Sequence, residues 1–403
     1  MEQAMRSQGA LRLTRSEISG AFADLGLLVP LEAALIAVNG LNPTSTLLGV
    51  GILYIAAGWY FRLPMPVQPL KALAAIAIAR ELSPDVIAAG ALLMSASLVI
   101  LAATGVIDKL YAVVPTAGVR GIQLGLAYVL IRGAFNLLEK PLAPDVPQMS
   151  VSMGEVAAPV MLVLAPIFLL LVALLVRRPV IPASLAVLVA GAGVGLYLGR
   201  WHGAGVLGPA AIDPALPNFD ALGTAAAVLL TAQLPLTVAN SVIATTDASH
   251  AYFPAQAHRV TFRRLSFSIA LGNLWAGLFG GLPVCHGSGG LTAHYKMGAR
   301  TPVATTLIGV VLIAVAVIFG NAAQSVRTLV PLPFFGILLL FVGIQHIALA
   351  LKVEQRSDLP FVGLAGVLAV LFDGNLAYAA AVTLGVYWAA QGLQRLRWRV
   401  AAT

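Results

Sequence analysis

The chain has 403 residues, 59% of them hydrophobic and only 10% charged, against about 25% charged in an ordinary soluble domain. That balance excludes a soluble enzyme or binding module and defines an integral membrane protein. The formal charge of +8 is scattered among loops rather than gathered into a patch, so it reads as membrane topology and not as a nucleic-acid surface.

In chain order, residues 1–17 lack the apolar core and cleavage site of a signal peptide and are expected to form a cytoplasmic N-terminal segment. Apolar windows set against the ~20 residues of a spanning helix predict about 14 helices in an all-α polytopic protein. The first seven lie near 18–38, 44–61, 69–80, 84–105, 111–135, 157–176 and 180–199. After an extracytoplasmic linker over 200–221 come 222–246, 265–281, 287–298, 302–321, 328–351, 359–372 and 374–392, then a basic cytoplasmic tail over 393–403. The third and tenth are too short to cross alone and need the extended residues before them. An even number of spans puts both termini on one side. About 17 basic residues share that side, against about five (Arg80, Arg132, Lys140, Arg200 and Arg327) on the other, so the termini are expected in the cytoplasm, beneath the inner membrane.

Two segments break the hydrophobic pattern in corresponding places. Pro64-Met65-Pro66-Val67-Gln68-Pro69-Leu70-Lys71 and Leu282-Pro283-Val284-Cys285-His286-Gly287-Ser288-Gly289-Gly290 each interrupt an apolar stretch with proline, then open a short helix. Broken backbone at membrane depth persists only where it lines a cavity enclosed by protein. Val29-Pro30-Leu31 likewise echoes Leu234-Pro235-Leu236, pointing to two repeats over 18–199 and 222–392. Seven spans per repeat is an odd number, so the second repeat is inverted, with short broken helices at spans three and ten.

Half-helices entering from opposite faces bring their N-termini together, each with unpaired amides and about half a positive charge. Such a gap suits an anion. Gly287 and Gly289 permit close backbone approach, Ser288 offers a hydroxyl, Gln68 and Gln233 offer amides, Pro69 opens the first half-helix, and His286 can donate from its ring. A tetrahedral oxyanion fits that set of donors. Lys71 reads equally as an anion attractor or as the ion-pair partner of Asp24, Glu32 or a helix end. Asp24 reads as a carrier of a coupling proton or, with slight preference, as an acceptor of bonds from unwound backbone. His294 and His346 read as packed or interfacial groups. No Cys/His spacing suits a metal, no cofactor is implied, and the single cysteine excludes an intrachain disulfide. Cys285-His286 lacks a third orienting group and Ser288 lacks the nucleophile-elbow pattern, so an enzyme is disfavoured.

Glu17-Ile18-Ser19-Gly20, Asp24-Leu25-Gly26, Pro66-Val67-Gln68-Pro69-Leu70-Lys71-Ala72, Gln233-Leu234-Pro235-Leu236-Thr237 and Asn240-Ser241-Val242-Ile243-Ala244 resemble motifs of the molybdate transporter family, a branch of the sulfate permease superfamily. The most specific match runs from Pro283 to Leu291 and continues through Tyr295-Lys296-Met297-Gly298-Ala299-Arg300. The resemblance implies a core domain of spans one to four and eight to eleven that moves against a gate of the remaining six. It also implies secondary uptake of molybdate by alternating access, with a proton as the candidate coupling ion. Ala23, Leu27, Ser288 and Lys296 depart from the residues common in the family, and Ser288 lies in the expected pocket. Sulfate, a nucleobase or another organic anion carried by the same fold, and a passive anion channel, stand as alternatives. Membrane lipid surrounds such a chain, and a homodimer is compatible with it.

Overall fold

A computed structural model of the chain describes residues 13–110, 115–143, 147, 149–153, 156–176, 183–201, 206–323, 325–353 and 355–401. Residues 1–12 of the expected N-terminal segment, the basic pair at 177–178 and the last two residues of the tail lie outside them.

An apolar chain in lipid must close its backbone hydrogen bonds within itself, and this one does so as helices. They are α1 (Arg15–Ala21), α2 (Leu25–Asn39), α3 (Pro43–Phe61), α4 (Lys71–Ala79), α5 (Pro84–Thr104), α6 (Val106–Leu110), α7 (Thr116–Leu138), α8 (Val160–Val176) and α9 (Ala183–Tyr197). They continue as α10 (Phe219–Tyr252), α11 (Phe262–Phe279), α12 (Ser288–Lys296), α13 (Pro302–Ala323), the four-residue α14 (Val326–Leu329), α15 (Leu332–Ala350), α16 (Leu359–Leu371) and α17 (Leu376–Ala401). Among the described residues six, α3, α5, α7, α10, α13 and α15, are long and apolar enough to cross a membrane. Helices α4 and α12 have nine residues each, about 13 Å of rise against a hydrocarbon core of about 30 Å.

Three details differ from the sequence expectation. Span one is two helices, because the chain unwinds over residues 22–24 between α1 and α2. The stretch expected to open span six is a strand: Val156–Pro159 pairs antiparallel with Ser150–Met153, and α8 starts only at Val160. Pro159 restricts its predecessor to extended backbone, which delays the helix. Span eight extends to 34 residues, and its turns widen to π geometry at Ala226–Leu230 and Thr237–Ile243. Pro235 lies between the two, and π turns re-satisfy backbone that a mid-helix proline disrupts.

Small residues set the packing, as expected where lipid supplies no hydrophobic drive between helices. Helices α3 and α13 cross at Gly51 and Gly309; a Cβ on either would lie 2.8 or 2.6 Å from the other's carbonyl oxygen. Helix α5 packs on α11, and α7 packs on α15 and α16. A seam runs where α4 meets α7, with Ala79 pressed against Gly133.

At one end of this seam, charged groups span it. The Lys140 ammonium lies 3.1 Å from Glu81 Oε1, and Arg80 Nη2 donates to the carbonyls of Asp373 and Gly374, each at 3.2 Å. Arg132 pairs with Asp373 beside them. Glu81 and Asp373 are two of only three non-glycine residues with left-handed backbone among those described, at φ 48° and 50°.

Candidate functional site

The two proline breaks meet. Residues Gln68–Pro69 and Val284–Cys285 form a buried antiparallel ladder, with Gln68 opposite Cys285 and Pro69 opposite Val284. The amide of Leu70 donates to Pro283 O at 2.9 Å. On the outer edge of the Val284–Cys285 strand, the Asn273 side chain acts as a further peptide group: Nδ2 donates to Val284 O at 2.7 Å and Oδ1 accepts from Val284 N at 3.2 Å. Proline at 66, 69 and 283 removes the amides that a helix would need, so these residues stay extended. Antiparallel strands feed helices that leave in opposite directions. The N-termini of α4 and α12 therefore flank one ladder.

The two helix tips are not alike. At α4 one amide is capped from α10, because Leu73 N donates to Gln233 Oε1 at 2.9 Å while Gln233 Nε2 donates to Thr237 Oγ1 at 2.9 Å. Gln233 was expected to offer its amide to an anion; instead its carbonyl caps the helix. The tip of α12 has no side-chain cap. Gly289 is exposed there, Ser288 is half-buried, and Gly287 and Gly290 are buried.

Helix α10 reaches this second tip as well, since Ser288 Oγ donates to Asn240 Oδ1 at 3.0 Å. The hydroxyl expected to serve the anion is thus directed at a protein acceptor. Gln68 lies across the tip, where a Cβ on Gly287 would collide with its Oε1 and one on Gly290 would lie 2.6 Å from its Nε2. Gln68 Nε2 donates to Asp24 Oδ1, while Gln68 Oε1 and Asp24 Oδ2 are buried with no hydrogen-bond partner among the described residues. Asp24 does not cap α2, so the unwound backbone is not what it serves.

His286 is placed differently from its expected role. Its Nδ1 donates to Pro66 O at 2.7 Å, joining the two breaks, and its Nε2 meets Ser268 Oγ on α11 at 2.8 Å, so both nitrogens are engaged. Its own carbonyl accepts from Thr245 Oγ1 at 2.8 Å. Pro69 sits in the ladder with its ring buried. Lys71 is half-buried and forms no hydrogen bond or ion pair among the described residues, so pairing with Asp24 or Glu32 does not explain it. No group of three or more metal-ligating side chains is found among those residues.

From sequence, Asn240 is part of a family motif with no role of its own, and Asn273 is not singled out. Each is a polar side chain inside an otherwise apolar helix, a signal that by itself marks a functional or satisfied position. Replacing Gln233 with leucine is expected to leave the Leu73 amide buried without an acceptor, destabilising the fold by about 1–3 kcal/mol. A thermal-unfolding midpoint unchanged in Gln233→Leu would remove the cap from the account.

The architecture matches solved anion transporters. It superposes on the transmembrane domain of the cyanobacterial bicarbonate transporter BicA with a TM-score of 0.67, at 17% identity, covering 91% of this chain and 98% of that one. Murine Solute Carrier 26 family member A9, an anion transporter in its inward-facing state, gives 0.66 at 14% identity over 98% and 70%. At such identities the likeness concerns the fold alone, which is the one shared by the BicA transmembrane domain and Slc26a9.

Sequence narrows this to a family. The model described as "Molybdate transporter of MFS superfamily" matches residues 16–130 and 225–345, which include both breaks. Molybdate transporter 2 of Arabidopsis thaliana is 30% identical over 85% of this chain and 80% of its own length. Molybdate transporter 1 of the same plant is 28% identical over 89% and 84%. The chain belongs to the molybdate transporter family. Its relatives are transporters and not enzymes.

Proposed function

We propose that the protein is a secondary transporter that imports molybdate by alternating access, binding the oxyanion at the α12 tip. One observation carries the reading: Gly289 exposes an uncapped helix N-terminus at the end of a buried ladder. Amides and the helix dipole there attract a dianion without a buried lysine. Lys71, unpaired at the start of α4, adds long-range attraction. Gln68 bounds the pocket, with Pro69 behind it and Gln233 and His286 holding its walls. The carboxyl of Asp24 stands beside the same tip. Two unit charges ~6 Å apart repel by about 3 kcal/mol at an effective dielectric of 20, so protonation of Asp24 with anion entry favours occupancy. Proton coupling is therefore part of the reading.

The fourteen-span inverted repeat is supported by the ladder, whose register pairs Gln68 with Cys285, the residue that matches it in the repeat. The packing of α3 on α13 and of α5 on α11 is likewise what exchange of the two repeats would produce. In this arrangement α1–α5 and α10–α13 form the core, and α7–α9 and α15–α17 the gate. The basic residues put the termini in the cytoplasm. The charged contacts at Glu81 and Asp373 then link core and gate on the extracytoplasmic side, and links that can break and re-form suit a carrier over an open channel.

Uptake into liposomes, with sulfate, tungstate and uracil as competitors, tests the substrate class. Molybdate should accumulate against its gradient, with tungstate competing. Block by uracil and not tungstate would replace the oxyanion with a nucleobase, and flow only down the gradient would make the protein a channel. Sulfate shares the charge and shape of molybdate, and competition decides between them.

A further inference from the structure

Two histidines lie within the broken region, and their hydrogen bonds set them apart. A carbonyl cannot donate, so Nδ1 of each must carry a proton: His286 Nδ1 gives it to Pro66 O, and His294 Nδ1 gives it to Gly20 O at 2.7 Å. That leaves Nε2 of each neutral ring as a bare lone pair. In His286 it is taken by the Ser268 hydroxyl. In His294 it has no partner among the described residues, although the ring is wholly buried. Buried polar atoms are seldom left so without a functional reason.

The groups near His294 supply the reason. It lies one turn beyond Gly290 on α12, so the two positions share a helix face. On that face Asp24 Oδ2 lies 2.8 Å from where a Cβ on Gly290 would stand, and this oxygen too lacks a partner. Asp24 and His294 are near enough to interact electrostatically. Tyr54 on α3 packs edge-on against the imidazole, with ring centroids 6.4 Å apart.

We propose that His294 and Asp24 together form the site of the proton that accompanies the anion, with His294 Nε2 as its acceptor. The inference rests on the oxyanion reading of the α12 tip and deepens it. A proton taken from water at one face is held on Nε2, with the nearby Asp24 carboxylate as its counter-charge, while the dianion occupies the tip. It leaves to water at the other face, with no bond changed except its own. The neighbouring ionisable groups come from every element around the pair: Glu32 on α2, Tyr54 on α3, Lys71 on α4 and the Cys285 thiol in the second break. Toward the ends of the elements packed on α12 stand Glu17 on α1 and Asp247 and His250 on α10, with Tyr295, Lys296 and Arg300 on or just after α12 itself.

The test is titration calorimetry of the full chain in detergent with sodium molybdate, in buffers of different ionisation enthalpy, which counts protons bound with the anion. Wild type should take up about one proton per anion somewhere between about pH 5 and 8. His294→Asn keeps a donor for Gly20 O and deletes the lone pair; it should bind molybdate with the linked proton reduced to near zero. The same number of protons in wild type and His294→Asn overturns the proposal, as does wild-type binding with no linked proton at any pH. Should His294→Asn fail to fold, Asp24→Asn carries the comparison, and the wild-type proton count stands on its own. Absence of binding by molybdate, sulfate and tungstate to wild type is a different result: it overturns the oxyanion reading and this inference with it.

Discussion

Gly289→Val is expected to leave the fold intact and to weaken molybdate binding at least tenfold. No atom lies within 4 Å of a Cβ built at Gly289, so the branched side chain meets open space and no strain. It would nonetheless stand over the amides at the mouth of the α12 tip. A hydrogen bond to a charged group contributes about 1.5–3 kcal/mol, so one lost contact is about 10- to 150-fold in affinity. Gly290→Ala provides the contrast. Its Cβ would lie 2.6 Å from Gln68 Nε2 and 2.8 Å from Asp24 Oδ2, so it should lower the unfolding temperature as well as binding. Calorimetric affinity and thermal unfolding, measured on both variants, separate a blocked site from a damaged fold. Wild-type affinity in Gly289→Val would place the anion elsewhere.

A covalent link between positions 81 and 140 should stop transport almost completely and reversibly. Lys140 and Glu81 face each other across the seam between α4 and α7, and Arg80 holds the backbone of Asp373 and Gly374 alongside. Both side chains of the Lys140–Glu81 pair are more than two-fifths exposed, so the pair is worth about 0–1 kcal/mol. The left-handed backbone at Glu81 and Asp373 belongs to the turns that end α4 and α16, where Leu82 N donates to Ala77 O and Gly374 N to Ala369 O, so it adds nothing to the contacts. A closure this weak can break in every cycle. Lys140→Glu alone should therefore change uptake by only about fivefold or less, as expected for ~1 kcal/mol. Bridging Glu81→Cys and Lys140→Cys with a short bifunctional thiol reagent removes the opening altogether. The native Cys285 is buried and leaves a low background. Uptake that persists in fully cross-linked protein would show that this seam does not open during transport.

Much of the fold was legible because its signals are local. Hydropathy marks the long apolar helices, proline at 66, 69 and 283 marks both breaks, and each of these prolines falls where the structure has extended backbone. The mismatches arise where partners are distant. Gln233 looked like an amide donor, yet its oxygen faces Leu73, 160 residues away in sequence. Ser288 looked free, yet a widened turn of α10 brings Asn240 to it. His286 stood inside the motif and His294 outside it, and the structure engages the first on both nitrogens while leaving the second open.

By itself the sequence determined the membrane class, the long apolar helices and the two interruptions, because hydrophobic length and missing proline amides act within one segment. Tertiary structure alone decided which helix tip is capped, which imidazole keeps a free lone pair and which charges bridge the seam. Each of those depends on a hydrogen-bond partner brought from another helix, such as Gly20 to His294 across 274 residues, and only packing fixes that direction.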